Sequence, residues 1–283
     1  MILFKKLFCS FICVFLLLGS SFSQNLYDYS NSLKYADYLY TTNQYNLASV
    51  EFERVVFLEP KDTLSKLKLI RSYRYLSDYK TAISRIEKYF PCNVNYLLPE
   101  FSDEYVRNML YEDQFQKANS FLQTIQTMDI GVRTEYQLGI FIMQYRWTEA
   151  RRFADEHSGI LDKTERFDNL NSIIKDGLKA KYKSPFLAGS ISAVVPGGGK
   201  AYSGHWVDAI YSFLFVTTST WLTYKSYQKN GFSFNSALIG SVALTFYSAN
   251  IYGSVKSAKR HNQKINQSFR SEAEDILLND KKK

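Results

Sequence analysis

Alanines that recur at nearly equal intervals constrain the fold of this chain more than any other feature of its sequence. Ala82 follows Ala48 after 34 residues, Ala118 follows after 36 more, and Ala150 after another 32. Around these alanines the apolar residues have helical spacing. A period of this length is typical of stacked helical hairpins, each of which buries its apolar face only against its neighbours. The chain is therefore predicted to be all-α, beginning with a solenoid of about four hairpins.

Residues 31–60 show the unit most clearly, because small residues occupy positions 36 and 48, an aromatic residue position 52 and a proline position 60. This pattern resembles the tetratricopeptide repeat. The resemblance implies close helix contacts at the small residues, packing of the aromatic ring against the next hairpin, and a helix end at the proline. Over residues 24–160, the packing positions expected from the resemblance are Ala36, Ala48, Phe52, Pro60, Ala82, Ala118, Gly139 and Ala150.

Residues 1–23 have the pattern of an export signal. Two lysines precede a nearly continuous apolar run (residues 7–18), and Ser21 and Ser23 are the small residues that signal peptidase requires. The apolar run is shorter than the roughly 20 residues that a membrane span needs. An uncleaved anchor is the alternative. Export predicts a location at the inner membrane of a bacterium, with the repeats in the periplasm.

The composition changes after residue 184. Residues 161–184 are predicted to form an amphipathic helix that caps and connects the repeats. Residues 185–255 are predicted to be a membrane-embedded module, with spans near 206–224 and 232–252 joined by a turn at residues 225–231. A hydrophobic hairpin buried in a soluble core is the alternative. Residues 256–283 are predicted to be a polar, basic tail.

A glycine-rich motif precedes the first predicted span. The apolar stretch before it is too short to cross a bilayer and ends at a Pro-Gly-Gly-Gly break, which indicates a re-entrant or interfacial segment. If this stretch did cross, the module would have three spans instead of two, so the side of the C-terminus stays open. The motif and the aspartate that follows it resemble an uncharacterised bacterial membrane module, broadly similar to TM2-type domains. Its residues here are Pro196, Gly197, Gly199, Tyr202, Gly204 and Asp208.

This resemblance implies a membrane location and no assigned activity. It is partial, because Gly198 and Lys200 stand where the module usually has a hydrophobic residue and glutamine. Asp208 is expected to be an interfacial residue that caps the first span, and a functional acid within the membrane is the alternative.

The remaining residues argue against catalytic, metal and nucleotide sites. Cys92 is the only cysteine after the predicted signal, and three scattered histidines do not form a metal-binding pattern. No nucleophile–base–acid set is recognisable. The Gly-Gly-Gly-Lys string at residues 197–200 lacks the flanking residues of a phosphate-binding loop. No catalytic residue, metal or other cofactor is therefore expected, and the net charge of +8 is too dispersed to indicate nucleic-acid binding.

Together these features favour a non-enzymatic adaptor anchored in the membrane. The repeats would bind protein partners and the C-terminal module would contact the lipid bilayer. The alternative is a component of membrane traffic, such as a channel, a transporter subunit or an insertion accessory, with the repeats as receptor. Arg71, Arg74 and Arg85 raise the further possibility of a basic strip for acidic ligands, although a solvated helix face is the favoured interpretation.

Overall fold

A computed structural model describes residues 27–91, 96–161 and 164–279, and in these ranges every regular element is a helix. The all-α prediction is thus confirmed for this part of the chain, and the helices have a repeat-like arrangement. The predicted signal peptide (residues 1–23) and Cys92 lie outside the described residues. The chain divides into two compact units after Thr127, within the range predicted for the repeats.

The first unit consists of three helical hairpins. Its helices are α1 (Tyr29–Thr41), α2 (Tyr45–Leu58), α3 (Thr63–Tyr75), α4 (Tyr79–Tyr89), α5 (Pro99–Tyr111) and α6 (Phe115–Thr124). The second unit begins with a fourth hairpin, formed by α7 (Ile130–Met143) and α8 (Trp147–Glu156), and a short helix α9 (Ser158–Leu161). It continues with α10 (Glu165–Lys179), α11 (Pro185–Val194), α12 (Gly198–Tyr202), α13 (Trp206–Asn230) and α14 (Phe234–Leu277).

The same turn joins the two helices of all four hairpins. Its central residue has a positive φ of 57–60° although it is not glycine, and the following backbone N–H donates to the carbonyl five residues earlier at 2.9 Å. This bond satisfies a carbonyl at the end of the first helix, as in a Schellman motif. The central residues are Asn43, Ser77, Asp113 and Tyr145. Each lies five residues before a recurring alanine, so the turn repeats with the same period.

The predicted packing positions lie in the interior, with one exception. Ala36, Ala48 and Phe52 are fully buried between α1, α2 and the next hairpin, together with Val55 and Leu69. Ala82, Ala118 and Ala150 are also fully buried. Pro60 is exposed just after the end of α2.

The last helix, α14, is 44 residues long and belongs to two regions of the second unit. Its first half packs against α13, and its second half packs against α7 and α10. Leu277 is fully buried and fills the space above Gly139, where a Cβ atom would overlap its side chain. Residues 256–277, which the sequence suggested as a polar tail, therefore continue α14 and cover the fourth hairpin.

The predicted membrane spans form helices, but their role as spans is not supported. Among the described helices, none combines enough length and apolar character to cross a membrane. Threonine, serine, tyrosine and asparagine are interspersed with the apolar residues of 206–224 and 232–252 and lower their hydropathy. The turn is also shorter than predicted, because α13 extends to Asn230 and α14 starts at Phe234.

Candidate functional site

Neighbouring hairpins of the first unit are linked by a triad of one glutamate, one tyrosine and one basic residue, and this triad occurs twice. A glutamate on the second helix of one hairpin accepts a hydrogen bond from a tyrosine and pairs with a basic residue, both on the next hairpin. The two triads are Glu53 with Tyr73 and Arg85, and Glu87 with Tyr105 and Lys117. The tyrosine hydroxyls donate at 2.9 and 2.8 Å, and Arg85 lies 2.6 Å from its glutamate. The triads thus fix the stacking of hairpins one to three.

The triads shift the pKa values of both tyrosines and of Glu87. Burial and the hydrogen bond to Glu87 raise the pKa of Tyr105, and burial and the hydrogen bond to Glu53 raise that of Tyr73. Burial also acts to raise the pKa of Glu87, but hydrogen bonds from Lys117 and Tyr105 outweigh it and hold the pKa below its ordinary value. The neutral forms of both tyrosines and the charged form of Glu87 are therefore the forms that stabilise the stack.

The basic strip considered from the sequence does not exist as a continuous surface. Arg71 and Arg74 both donate to Glu104, at 2.8 and 2.7 Å, while Arg85 belongs to the first triad. The side chains of Glu104 and Arg74 are 1% and 5% exposed, so this pair is buried between α3 and α5. The favoured interpretation, a solvated helix face, is wrong for Arg74. These arginines hold the hairpins together.

An exposed apolar stripe lies along α2 of the first hairpin. Leu47, Val50 and Phe57, on α2, are 47%, 63% and 83% exposed, and we call them the first-hairpin stripe. In the other hairpins, the residue immediately before the recurring alanine and the residue two positions after it are both polar. They are Thr81 and Ser84, then Lys117 and Ser120, then Glu149 and Arg152. Comparison of these positions along the sequence would have revealed that the first hairpin is the exception.

Two glycines of the predicted membrane motif, Gly197 and Gly199, are required by close packing in the second unit. Gly197 has a φ of 82°, and a Cβ atom there would overlap the carbonyl oxygen of Ala209. A Cβ atom at Gly199 would likewise overlap the carbonyl of Ala188. The N–H of Gly197 donates to the Asn250 side chain at 2.8 Å. The motif therefore brings α11, α12, α13 and α14 together at one point.

The other motif residues surround this point. Pro196 is half-buried in the turn before α12, and Gly204 has a positive φ in the turn before α13. The Tyr202 hydroxyl accepts from the N–H of Ser184 at 3.3 Å. Asp208 is exposed in the first turn of α13, and His205 occupies the N-cap position without a side-chain hydrogen bond, so Asp208 is not the N-cap residue that was predicted. Its carboxylate instead lies where the helix dipole favours negative charge.

The helices around this motif expose an unusually apolar surface. From residue 206 to residue 252 the only charged residues are Asp208, Lys225 and Lys229. We call the exposed apolar side chains of α13 and the first half of α14 the hairpin apolar surface; its members include Trp206, Ile210, Leu214, Phe215, Trp221, Phe234, Leu238 and Leu244. A cavity of about 480 Å³ opens between the same helices beside Thr223, Tyr227 and Gly240.

Within the described ranges, no group of three or more histidine, cysteine, aspartate or glutamate residues is placed to hold a metal ion. Among the described residues, the first unit has the first-hairpin stripe and ion pairs between its hairpins, and the second unit has the hairpin apolar surface. No protein-family model matches the chain, and no curated protein resembles it in sequence.

Proposed function

We propose that the chain is a membrane-associated adaptor of the bacterial cell envelope, with tetratricopeptide-like hairpins that bind protein partners and a C-terminal helical hairpin that contacts a lipid bilayer. The hairpin apolar surface is the observation that carries the proposal. Soluble monomers rarely expose contiguous apolar patches beyond a few hundred Å². Removing a large apolar side chain from water contributes about 1.5–3 kcal/mol, so the exposed residues of α13 and α14 favour a nonaqueous environment.

Among the described residues, the buried polar side chains of these helices have hydrogen-bond partners within the protein, as a lipid environment requires. Ser192 and Ser254 share a hydrogen bond of 2.6 Å, and Asn250 donates to the carbonyl of Ser192 at 3.0 Å. On α13, the hydroxyls of Ser219 and Thr223 donate to carbonyls one turn earlier, at 2.7 and 2.8 Å. The exposed face of these helices is mostly apolar, with interspersed hydroxyl side chains such as those of Thr217, Thr218 and Thr245.

The close packing of the motif glycines also bears on the alternative function in membrane traffic. That alternative depended on the Pro-Gly break and on Asp208. Because Gly197 and Gly199 are required by the contacts of α12 with its neighbours, the break has an architectural explanation. This favours the adaptor.

For partner binding, the first-hairpin stripe is the strongest candidate surface. It is apolar and exposed where the other hairpins are polar, and exposed apolar residues of this kind commonly form interaction sites. The ion pairs between hairpins keep the stripe on a rigid support. We propose that an apolar segment of a partner protein binds there.

Two reciprocal variants of the full-length protein test both halves of this function. The stripe variant replaces Leu47, Val50 and Phe57 by glutamine, and the hairpin variant replaces Ile210, Leu214, Leu238 and Leu244 by glutamine. All seven side chains are at least 47% exposed, so neither variant removes core packing. Membrane flotation and crosslinking of envelope extracts are then measured for each.

The hairpin variant should leave the membrane fraction while it keeps its crosslinked partners. The stripe variant should remain with the membrane and lose its partners. Flotation of the hairpin variant at the level of the unchanged protein would refute the membrane contact. Equal partner recovery with the stripe variant would refute the partner site.

The periplasmic location depends on the predicted signal and has its own test. Asn43 lies exposed at the first hairpin turn, so a cysteine there is accessible to solvent. In intact spheroplasts a membrane-impermeant thiol reagent should label Asn43→Cys. Labelling only after lysis would place the repeats in the cytoplasm.

A further inference from the structure

The segment between α10 and α11 is hydrogen-bonded to α14 next to the hairpin apolar surface. The backbone N–H of Lys183 donates to the Asn262 side chain at 2.8 Å, and the amide of Asn262 donates back to the Lys183 carbonyl at 2.9 Å. One turn further along α14, the Tyr182 hydroxyl donates to Asn266 at 2.8 Å. Two stretches of chain about eighty residues apart in sequence therefore run side by side.

Both stretches are basic and contain no acidic residue. Residues 177–184 and 250–271 have neither aspartate nor glutamate. We call their basic side chains at this junction the basic collar: Lys181, Lys183, Lys256, Lys259, Arg260 and Lys264. All are exposed except Lys183, which is partly buried with its ammonium 4.6 Å from the Tyr202 ring. Among the described residues, none of the six forms an ion pair with a carboxylate.

The collar borders the hairpin apolar surface directly. On α14, Tyr252 is 70% exposed and lies four residues before Lys256. On the other stretch, Phe186 is 84% exposed and follows Lys183 by three residues. If the apolar residues contact hydrocarbon, the collar lies at the level of the lipid phosphates. Basic side chains next to an anionic membrane surface favour binding, with about a fivefold effect each.

We propose that the basic collar binds the headgroups of anionic phospholipids, which rests on the proposed membrane contact of the apolar hairpin. The collar is specific to this end of the hairpin, since the opposite end carries only Lys225 and Lys229. The collar therefore selects lipid by charge, while the hairpin apolar surface provides binding that is independent of headgroup.

Full-length protein is diluted from detergent into vesicles and separated by flotation. One vesicle is purely zwitterionic, and the other contains about one-third anionic phospholipid. The collar variant is K181Q/K256Q/K259Q/K264Q. The matched control removes the same four charges from exposed or partly exposed lysines of the first unit, as K34Q/K61Q/K66Q/K80Q. Circular dichroism checks the helix content of each variant, and the pair K256Q/K259Q is used if the collar variant does not fold.

For half-maximal binding, the unchanged protein and the control should need at least about tenfold less total lipid with the anionic vesicles than with the zwitterionic vesicles. Salt of about 0.5 M should remove this difference. The collar variant should bind zwitterionic vesicles normally and lose the preference. If the collar variant retains the preference for anionic vesicles, the inference is overturned. It is also overturned if millimolar inorganic phosphate, at constant ionic strength, removes the preference of the unchanged protein. Failure of the unchanged protein to bind either vesicle would instead overturn the proposed membrane function.

Discussion

The buried carboxylate of Glu104 permits a quantitative prediction. Glu104→Gln keeps the side-chain volume but removes the charge that Arg71 and Arg74 share. Breaking a buried ion pair costs about 3–5 kcal/mol, because a charge is left behind in a poorly solvated site. Arg74 is 5% exposed, whereas Arg71 is 35% exposed and regains water more readily. We therefore expect a loss of about 3 kcal/mol in the free energy of opening of α3 and α5.

A matched substitution in the same unit isolates the effect of burial. Glu112 and Lys80 lie 3.9 Å apart, and the Lys80 side chain is 80% exposed. Glu112→Gln removes the same charge from a longer and more exposed pair, in which the Glu112 side chain is 22% exposed, and a loss of less than about 0.5 kcal/mol is expected. The difference between the two variants measures what burial adds to the ion pair.

Hydrogen exchange of the full-length protein, followed by mass spectrometry, gives the local opening free energies. Peptides from α3 and α5 should exchange about a hundredfold faster in Glu104→Gln, since each tenfold change corresponds to about 1.4 kcal/mol. In Glu112→Gln the same peptides should exchange nearly as in the unchanged protein. A loss below about 1 kcal/mol for Glu104→Gln, or equal losses for both variants, would refute the reasoning.

Three further predictions concern the turn, the triad and the last helix. Ser77→Gly should raise the thermal midpoint, with a gain of about 0.5–1 kcal/mol, because serine has a φ of 58° there; a lower midpoint would contradict the strain. Burial and the hydrogen bond to Glu87 raise the pKa of Tyr105, so the contribution of the neutral tyrosine to stability is complete below the ordinary pKa of 10.0 and is lost at higher pH. The thermal midpoint of Tyr105→Phe should therefore fall less steeply above pH 10.0 than that of the unchanged protein. An unchanged slope would contradict this. Leu277→Ala should cost about 2–5 kcal/mol and expose α7 to proteases, and Gly139→Ala should restore part of the loss; strictly additive effects would argue against their contact.

The features that the sequence predicted are those determined by neighbouring residues. The burial of Ala48, and of the alanines that recur after it, follows from a local pattern that repeats with each hairpin. The triads could not be predicted, because Glu53, Tyr73 and Arg85 come together only when successive hairpins stack. Glu104 shows the same limit, since glutamate alone predicts an exposed position and its burial depends on arginines about thirty residues away.

In the second unit, contacts between distant residues determine features that local sequence patterns do not indicate. The second span was predicted to end near residue 252 and residues 256–283 were predicted to be a polar, basic tail, but the helix continues to Leu277, and its second half packs on α7 and α10. Ala258 and Ala273 are fully buried on this second half of the helix, although they are too small to produce a strong apolar pattern. The first-hairpin stripe was not predicted, although its signal is local. A comparison of Leu47 and Val50 with their counterparts in the other hairpins would have revealed it.

The contact between Leu277 and Gly139 has a consequence for synthesis. The two residues are 277 − 139 = 138 positions apart, so the fourth hairpin is translated long before the residue that covers it. Domains generally fold in order from the N-terminus as they leave the ribosome, and contacts between distant residues form late. The first three hairpins can stack as they emerge, whereas the fourth keeps an open apolar face until the final helix is complete. A premature stop codon anywhere in α14 would therefore leave aggregation-prone surface near the middle of the chain.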